Sequence, residues 1–301
     1  SESEGTGLIA LDQIDDIELV CMLSGEDSTD IGPVALFATD NYCRRNNLML
    51  LIDPPLAWES VEDVLRYQRE TDFSSPNVAT YFPRLQSRND EGVSCSISAM
   101  GAIAGAMIAA SRTRVLQYQP VGDLSISRGQ ARLATEFSQD AVKALARVGV
   151  NALIPATRMR INLGGDVTLA ATDSIAGEWS HMSTRRSALR VIASIERGIA
   201  WVAFHDNTPE LQAELLKQID VFLNSIFELG VLPGDGPGDA FYIKCDSETN
   251  AGLEERLGEL SFVIGLAFRQ PREFVAFRFT SRRGSCRVTE LGWQPGLALT
   301  G

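Results

Sequence analysis

The chain has 301 residues, 45% of them hydrophobic, which is enough for one large or two ordinary domains around a substantial core. Lys plus Arg number 27 against 39 Asp plus Glu, giving a net charge of −12; this argues against a nucleic-acid surface and suits a soluble protein, or one that meets basic patches on a partner. The five cysteines, at 21, 43, 95, 245 and 286, are odd in number and lack CxxC spacing, so they read as reduced, partly buried thiols of a cytoplasmic protein. No signal peptide is visible, and the longest bland apolar run, 99–110, is shorter than the roughly 20 residues a membrane helix needs.

In chain order, Ile17 to Leu23 reads as a buried strand and Ile31 to Arg45 as a helix. Leu48 to Ile52 reads as a second buried strand, stopped by Asp53-Pro54-Pro55 because proline has no N–H for a central ladder. Ser60 to Thr71 reads as a helix: Ser60 and Asp63 form a capping pair, and Val61, Val64, Leu65 and Gln68 recur at helical spacing. Val78 to Leu85 is a third strand, and Ile97 to Ser111 a helix of small residues in which Gly101 and Gly105 allow close backbone approach. This alternation predicts an α/β sheet with crossover connections. Residues 115–132 are turn-rich, Ala134 to Arg147 is helical, and a soft boundary follows, giving expected domains 1–147 and 148–301.

In the second half, Asn151 to Ala171 reads as short strands around the turn at Gly164-Gly165-Asp166. The helix expected after Arg186 carries Ala188, Val191, Ile192, Ile195 and Ile199 on one face. Trp201 to Phe204 reads as a buried strand. Thr208 is the N-cap of the next helix, Pro209 its first residue and Gly230 its C′ residue; its apolar stripe is Leu211, Leu215, Ile219, Phe222, Leu223 and Ile226. Phe241 to Cys245, Ser261 to Phe268 and Phe274 to Phe279 read as strands.

Every chemical motif fails on context. Gly5-Thr6-Gly7 with Ala10 resembles a dinucleotide fingerprint but lacks the strand that must precede it. GDGPGD (234–239) lacks the Lys-Ser/Thr of a phosphate loop and would turn Asp235 and Asp239 towards an anion, so it reads as a tight loop. His181, next to Ser180, and His205, next to Asp206, have no G-x-S-x-G elbow and read as surface or loop histidines. Two histidines and dispersed cysteines give no metal-chelating spacing, and Asp15-Asp16 and Asp246-Ser247-Glu248 read as solvated turns. The expectation is no catalytic, cofactor or metal site. A soluble α/β enzyme whose site is assembled from residues distant in sequence stays as the alternative.

A set of ordered words nevertheless spans nearly the whole chain. Residues 5–20 (GTGLIALDQIDDIELV), then Tyr81-Phe82-Pro83, Gly149-Val150-Asn151, the pair Arg185-Arg186, Trp201 to Phe204, and Phe222, Leu223, Gly230 and Gly234 come in turn. Phe241, Cys245, Asp246 and Asn250 follow, then Pro271, Glu273 and Phe274. In order and spacing these resemble the contractile tail sheath proteins, the subunits that wrap the tube of contractile phage tails and related injection particles. The chain departs from that pattern where Trp is absent after Pro83 and where TLAATDS stands at 168–174.

The resemblance implies a mixed α/β (α+β) fold, with sheets flanked by helices and an N-terminal α/β domain before a C-terminal sheath core. It implies a structural, non-enzymatic subunit without cofactor that polymerises in helical rings around an inner tail tube and contracts to drive the tube through a membrane. Implied partners are other sheath subunits, the tube protein, and baseplate and tail terminator proteins, with no nucleic acid and no membrane insertion. The implied location is the virion tail sheath, assembled in the bacterial host cytoplasm; phage tail, bacteriocin and injection system stay open. The helix from Pro209 to Leu229 is the expected tube-facing element, through Glu214, Lys217, Asp220, Asn224 and Glu228. Terminal arms that add strands to a neighbour's sheet are expected to link subunits. Val275, Phe277 and Phe279, and the segment CRVTELGW with Arg287 and Val288, are the contact candidates there. CRVTELGW is too poor in apolar residues to form its own core, so it docks on its own subunit or the next; the polar SESEGTG at the start is expected to be the stub of a matching arm.

Overall fold

The computed structural model describes residues 7–14, 16–25, 29–71, 73–88, 91–111, 122, 124–127, 129, 131–170, 177–250, 259–282 and 285–295. The chain divides into two compact units, 1–189 and 190–301. The boundary expected at 147/148 therefore falls inside the first unit, because the strand that follows it pairs into the first sheet.

The first unit is built on β1 (Leu19–Met22), α1 (Pro33–Arg45), β2 (Met49–Ile52), α2 (Val61–Glu70) and β3 (Val78–Phe82). It continues through β4 (Leu85–Arg88), β5 (Ser94–Ile97), α3 (Met100–Ser111), β6 (Ser125–Ser127), β7 (Arg132–Leu133), α4 (Gln139–Arg147), β8 (Val150–Thr157) and β9 (Arg160–Gly164). Six strands form a mixed sheet in the order β1-β2-β3-β8-β9-β6, with β1, β2, β3 and β8 parallel. A three-stranded antiparallel sheet, β5-β4-β7, stands apart from it.

The two-residue period of a strand explains how the larger sheet is covered. Met49, Leu51, Ala79 and Tyr81 point to the face closed by Met100, Ile103 and Met107 of α3. Leu50, Ile52 and Val78 point the other way, onto Cys43 of α1; further along that side Phe82, Val150 and Ala152 meet Trp58, Val64 and Leu145. Both faces are apolar, so β2 and β3 are buried along their whole length. β1 differs from the expected buried strand: it is half-exposed because it lies at the sheet edge. The Ser60–Asp63 capping box forms as anticipated, Ser60 N donating to Asp63 at 3.0 Å and Asp63 N to Ser60 Oγ at 3.2 Å. The tight turn lies at 157–160, between β8 and β9, rather than at Gly164 to Asp166.

The second unit comprises the C-terminal part of α5 (Met182–Gly198), α6 (Pro209–Glu228), the one-turn α7 (Pro237–Ala240), β10 (Phe241–Lys244), β11 (Leu260–Ala267), β12 (Glu273–Arg282) and β13 (Ser285–Pro295). α5 begins at Met182, ahead of Arg186 where the helix was expected. The four strands form an antiparallel meander in the order β10-β11-β12-β13. All eight residues of β11 are buried, and the rings of Phe262 and Phe279 stack with centroids 5.0 Å apart across the β11–β12 ladder.

Trp201 to Phe204 is not a strand. Residues 200–204 continue from α5 as a 3-10 helix in which Val202 is buried and Phe204 is 81% exposed. A short apolar run carries no periodicity that separates the two states. β13 docks on its own subunit, paired with β12 from Arg282↔Ser285 to Glu273↔Pro295, with a bulge at Leu291–Gly292 where Gly292 takes φ +81°.

Candidate assembly surfaces

α6 is specified locally at both ends. Thr208 Oγ1 accepts from Leu211 N at 3.3 Å, Pro209 occupies the first turn, and Gly230 adopts φ +72° just past the C-cap Leu229. Leu211, Leu215, Ile219, Leu223 and Ile226 are buried, which fixes the rotation of the helix. Glu214, Lys217, Asp220 and Glu228 are exposed, and Asn224 is half-buried, donating to the backbone and carboxylate of Asp220 at 2.9 and 3.0 Å. Among the described residues none of these charged groups forms an ion pair. Val221, 62% exposed, lies in the middle of the polar face.

Of the strand candidates, Val275, Phe277 and Phe279 are placed differently from the sequence expectation. They are 2%, 1% and 0% exposed, on a strand paired on both sides, so their side chains belong to the subunit's own core. Arg287, exposed, and Val288, half-buried, lie on β13 opposite Thr280 and Phe279. Among the described residues β10 and β13 are the two outer strands of this sheet, with no further strand paired to either.

The described residues of the chemical motifs take local structural roles. Residues 7–13 form a 3-10 helix rather than a strand-to-helix turn; Gly5, Thr6 and Asp15 lie outside the described residues. In the 234–239 loop, Asp239 is bound by Arg272 Nε at 2.5 Å, and that hydrogen bond and charge hold its carboxyl below the usual range. Asp246 accepts from Thr249 N at 2.9 Å, closing its own turn, and is likewise held low chiefly by that bond. His205 Nδ1 sits 3.1 Å from Trp201 O on the exposed 3-10 turn, and His181 bridges Val167 through its backbone. Among the described residues no group of three or more His, Cys, Asp or Glu could hold a metal, and no helix is long and apolar enough to cross a membrane.

A small cavity of about 130 Å³ opens beside the C-terminal end of β2, lined chiefly by apolar groups such as Ile31, Ile52, Trp58, Phe73 and Leu169. Asp53 at its rim could be taken for an acid–base residue, since open α/β sheets place such groups at strand C-termini. Its carboxylate is fully used instead. One oxygen takes Ser98 Oγ; the other takes Ser24 N at 3.0 Å and lies 3.3 Å from Arg84 Nη1.

The residues of the ordered words have structural posts that sequence did not disclose. Asn151 is wholly buried and donates to Thr80 O at 3.1 Å and Val167 O at 2.8 Å, while Val167 N donates to its Oδ1 at 2.8 Å. Gly149, at φ +79°, lets the chain pass within 2.7 Å of Thr168 O measured from where a Cβ would stand. Arg185 is buried, donates to Asn77 Oδ1 at 2.9 Å and lies 4.6 Å over the Trp179 ring; Arg186 donates to Ser111 Oγ at 3.3 Å. Asn250, also buried, accepts from Ser261 N at 2.9 Å and Asn207 Nδ2 at 3.2 Å, tying the turn after β10 to β11.

No protein-family model and no curated protein matches the sequence. Solved structures do. The sheath complex of an extracellular contractile injection system, PVC, in the contracted state superposes with a TM-score of 0.68 at 18% identity, over 88% of this chain and 71% of that one. The chain has the fold of contractile sheath proteins. A chain of the anti-feeding prophage baseplate in the contracted state gives a TM-score of 0.66 at 22% identity, over 88% and 72%. The sheath tail protein of Desulfitobacterium hafniense gives 0.53 at 12% identity, over 94% of this chain and 57% of that one. The sheath fold accounts for the mixed α/β class expected from sequence.

Proposed function

We propose that this chain is a structural subunit of a contractile sheath that polymerises around an inner tube and contracts to drive it through a membrane. The observation that carries this reading is the sheath fold across 88% of the chain, shared with an assembly solved in its contracted state. The commitment of Asp53, Asp239 and Asp246 to internal hydrogen bonds supports a structural rather than an enzymatic role. In this reading the unit 190–301 supplies the assembly core: the outer strands of its sheet among the described residues, β10 and β13, are able to accept a strand from a neighbouring copy. The exposed face of α6, with Glu214, Lys217, Asp220, Asn224 and Glu228, is the proposed contact with the tube protein. Each exposed pair there is worth ~0.2–1 kcal/mol, and a polymer repeats it at every subunit. Baseplate and terminator proteins complete the proposed set of partners, and the location is a tail assembled in the bacterial cytoplasm.

The mechanism is mechanical. Subunits move largely as rigid bodies while their contacts change, and better contacts in the shortened lattice supply the free energy. The test is negative-stain microscopy of the protein co-expressed with a candidate inner-tube protein from the same genome. Sheathed tubes with a regular axial repeat are expected; a protein that stays monomeric beside bare tubes overturns the reading.

A further inference from the structure

The three-stranded sheet concentrates positive charge in a chain whose net charge is −12. Gln86 pairs with Arg132 across β4–β7, and Arg88 pairs with Ser94 across β4–β5. Because side chains alternate along a strand, Gln86, Arg88, Ser94 and Arg132 stand on one face, with Arg88 and Arg132 diagonal neighbours. Arg158 joins them from the β8–β9 turn, which Thr157 shapes by accepting from Met159 N at 3.2 Å. Together these residues line an open cavity of about 790 Å³, whose described lining is entirely polar apart from Gly129.

Several other arginines of the same unit are occupied. Arg44 binds Asp40, Arg66 binds Asp63, Arg84 binds Asp53, and Arg160 Nε donates to Ser125 Oγ at 2.7 Å. Arg88, Arg132 and Arg158 make no side-chain hydrogen bond or ion pair with any described residue. Diagonal like charges on one sheet face repel, and no carboxylate among the described residues neutralises these three. Guanidinium forks beside a serine hydroxyl and an amide are the donor set that planar or tetrahedral oxyanions use, and the cavity is of small-molecule size.

We propose that this cavity binds a multiply charged oxyanion, of polyphosphate or polycarboxylate chemistry, through Arg88, Arg132 and Arg158. The proposal is independent of the sheath reading. It is tested by calorimetric titration of the full-length protein with inorganic tripolyphosphate and, separately, with citrate. Stoichiometric binding of at least one is expected, the stronger of the two identifying the class. R132Q and R158Q should each weaken it about tenfold, and moderate salt should weaken it further. Circular dichroism melts of both variants should match the parent, since both side chains are exposed. Absence of binding by either anion, or binding unchanged in the double variant R132Q/R158Q, overturns the proposal. So does a double variant that changes only self-association in sedimentation, which would make the arginines a contact between copies.

Discussion

Asn151 holds both backbone groups of Val167: its Nδ2 donates to Val167 O and its Oδ1 accepts from Val167 N, each at 2.8 Å. The side chain thus stands in for a strand, pinning the segment after β9 to the start of β8 where no backbone ladder runs. Its second amide hydrogen goes to Thr80 O on β3, so a fully buried side chain has no spare polar atom. Replacing it by leucine strands three backbone groups out of water. At ~1–3 kcal/mol for each unsatisfied buried group, Asn151→Leu should lower stability by several kcal/mol, and Asn151→Asp should also destabilise because a carboxylate cannot donate. Urea unfolding is the measurement; a shift under about 1 kcal/mol would show that this link is dispensable.

A second close contact lies in the other unit. Tyr242 faces Gly265 across the β10–β11 ladder, and a Cβ on Gly265 would stand 1.9 Å from the Tyr242 ring. The ring occupies the space a side chain would take and meets Phe274 edge-on at 5.2 Å. Gly265→Ala should therefore destabilise by about 1–3 kcal/mol through displacement of the ring. The double variant with Tyr242→Ala should lose less than the sum of the singles, since the clash partner is gone. Strict additivity in the double-mutant cycle would refute the coupling.

Much of the fold was legible where local chemistry is self-contained. The Ser60–Asp63 box, the Thr208–Pro209 start and Gly230 end of α6, and the stop at Asp53-Pro54-Pro55 all depend on residues within a few positions of one another. Trp201 to Phe204 misled because four apolar residues carry no period, and only tertiary packing decides that Val202 turns inward and Phe204 outward. Val275, Phe277 and Phe279 are buried within their own subunit, which sequence did not disclose because alternation reveals that a strand has an apolar face, not what covers it. The three cavity arginines were invisible for another reason. Positions 88, 132 and 158 are brought together by the register of β4 with β7 and by the β8–β9 turn, which no local pattern encodes.

Stability should fall in alkali, from groups buried for packing. Burial, reinforced by Asp40, pushes the Cys43 thiol up to about 12, and burial with Glu196 does the same for Cys286. In the unfolded chain such thiols ionise near their usual 9.0. Below that pH both states hold the protons and the contribution is complete. Between about 9 and 12 the unfolded state releases protons that the folded state keeps, so stability declines as pH rises. Urea midpoints should be level from pH 7 to about 8.5 and fall towards pH 11, and Cys43→Ala/Cys286→Ala should flatten the fall. An unchanged slope in that double variant would assign the alkaline loss to other groups. Cys43, wholly buried, should also resist alkylation until the chain unfolds.

The charge pattern of α6 offers a test of the tube contact that leaves the fold intact. Glu214 and Lys217 are exposed and form no ion pair among the described residues, and the buried stripe of the helix lies on its opposite side. Glu214→Lys with Lys217→Glu keeps the net charge, so the subunit's melting temperature should not move. Sheath–tube co-assembly at low salt should drop, because complementary pairs become repulsive at every repeat. Co-assembly at parental yield would exclude this face of α6 as the contact.

The most consequential prediction concerns β13. The strand adds no independent core, yet it pairs with β12 along its whole length and sets Val288 against Phe279. β12 itself carries Phe274, Val275, Ala276, Phe277 and Phe279, all buried, so losing its outer neighbour leaves an apolar strand with an unpaired edge. Truncation after Ser281 should therefore lower the melting temperature by roughly 5–10 °C, on the scale of one to two kcal/mol lost from a unit of this size. A bare edge also recruits strands, so the truncated chain should self-associate at concentrations where the parent does not. A synthetic peptide of residues 285–295 should restore both the melting temperature and the monomer, by supplying in trans the strand that the parent supplies in cis. That rescue would establish that this position in the sheet accepts a strand from another molecule, the property a strand-linked polymer needs. Truncation without any thermal or associative effect would show that β13 contributes nothing to its own subunit. Destabilisation that the peptide cannot reverse would show that the site does not accept a strand from outside the chain.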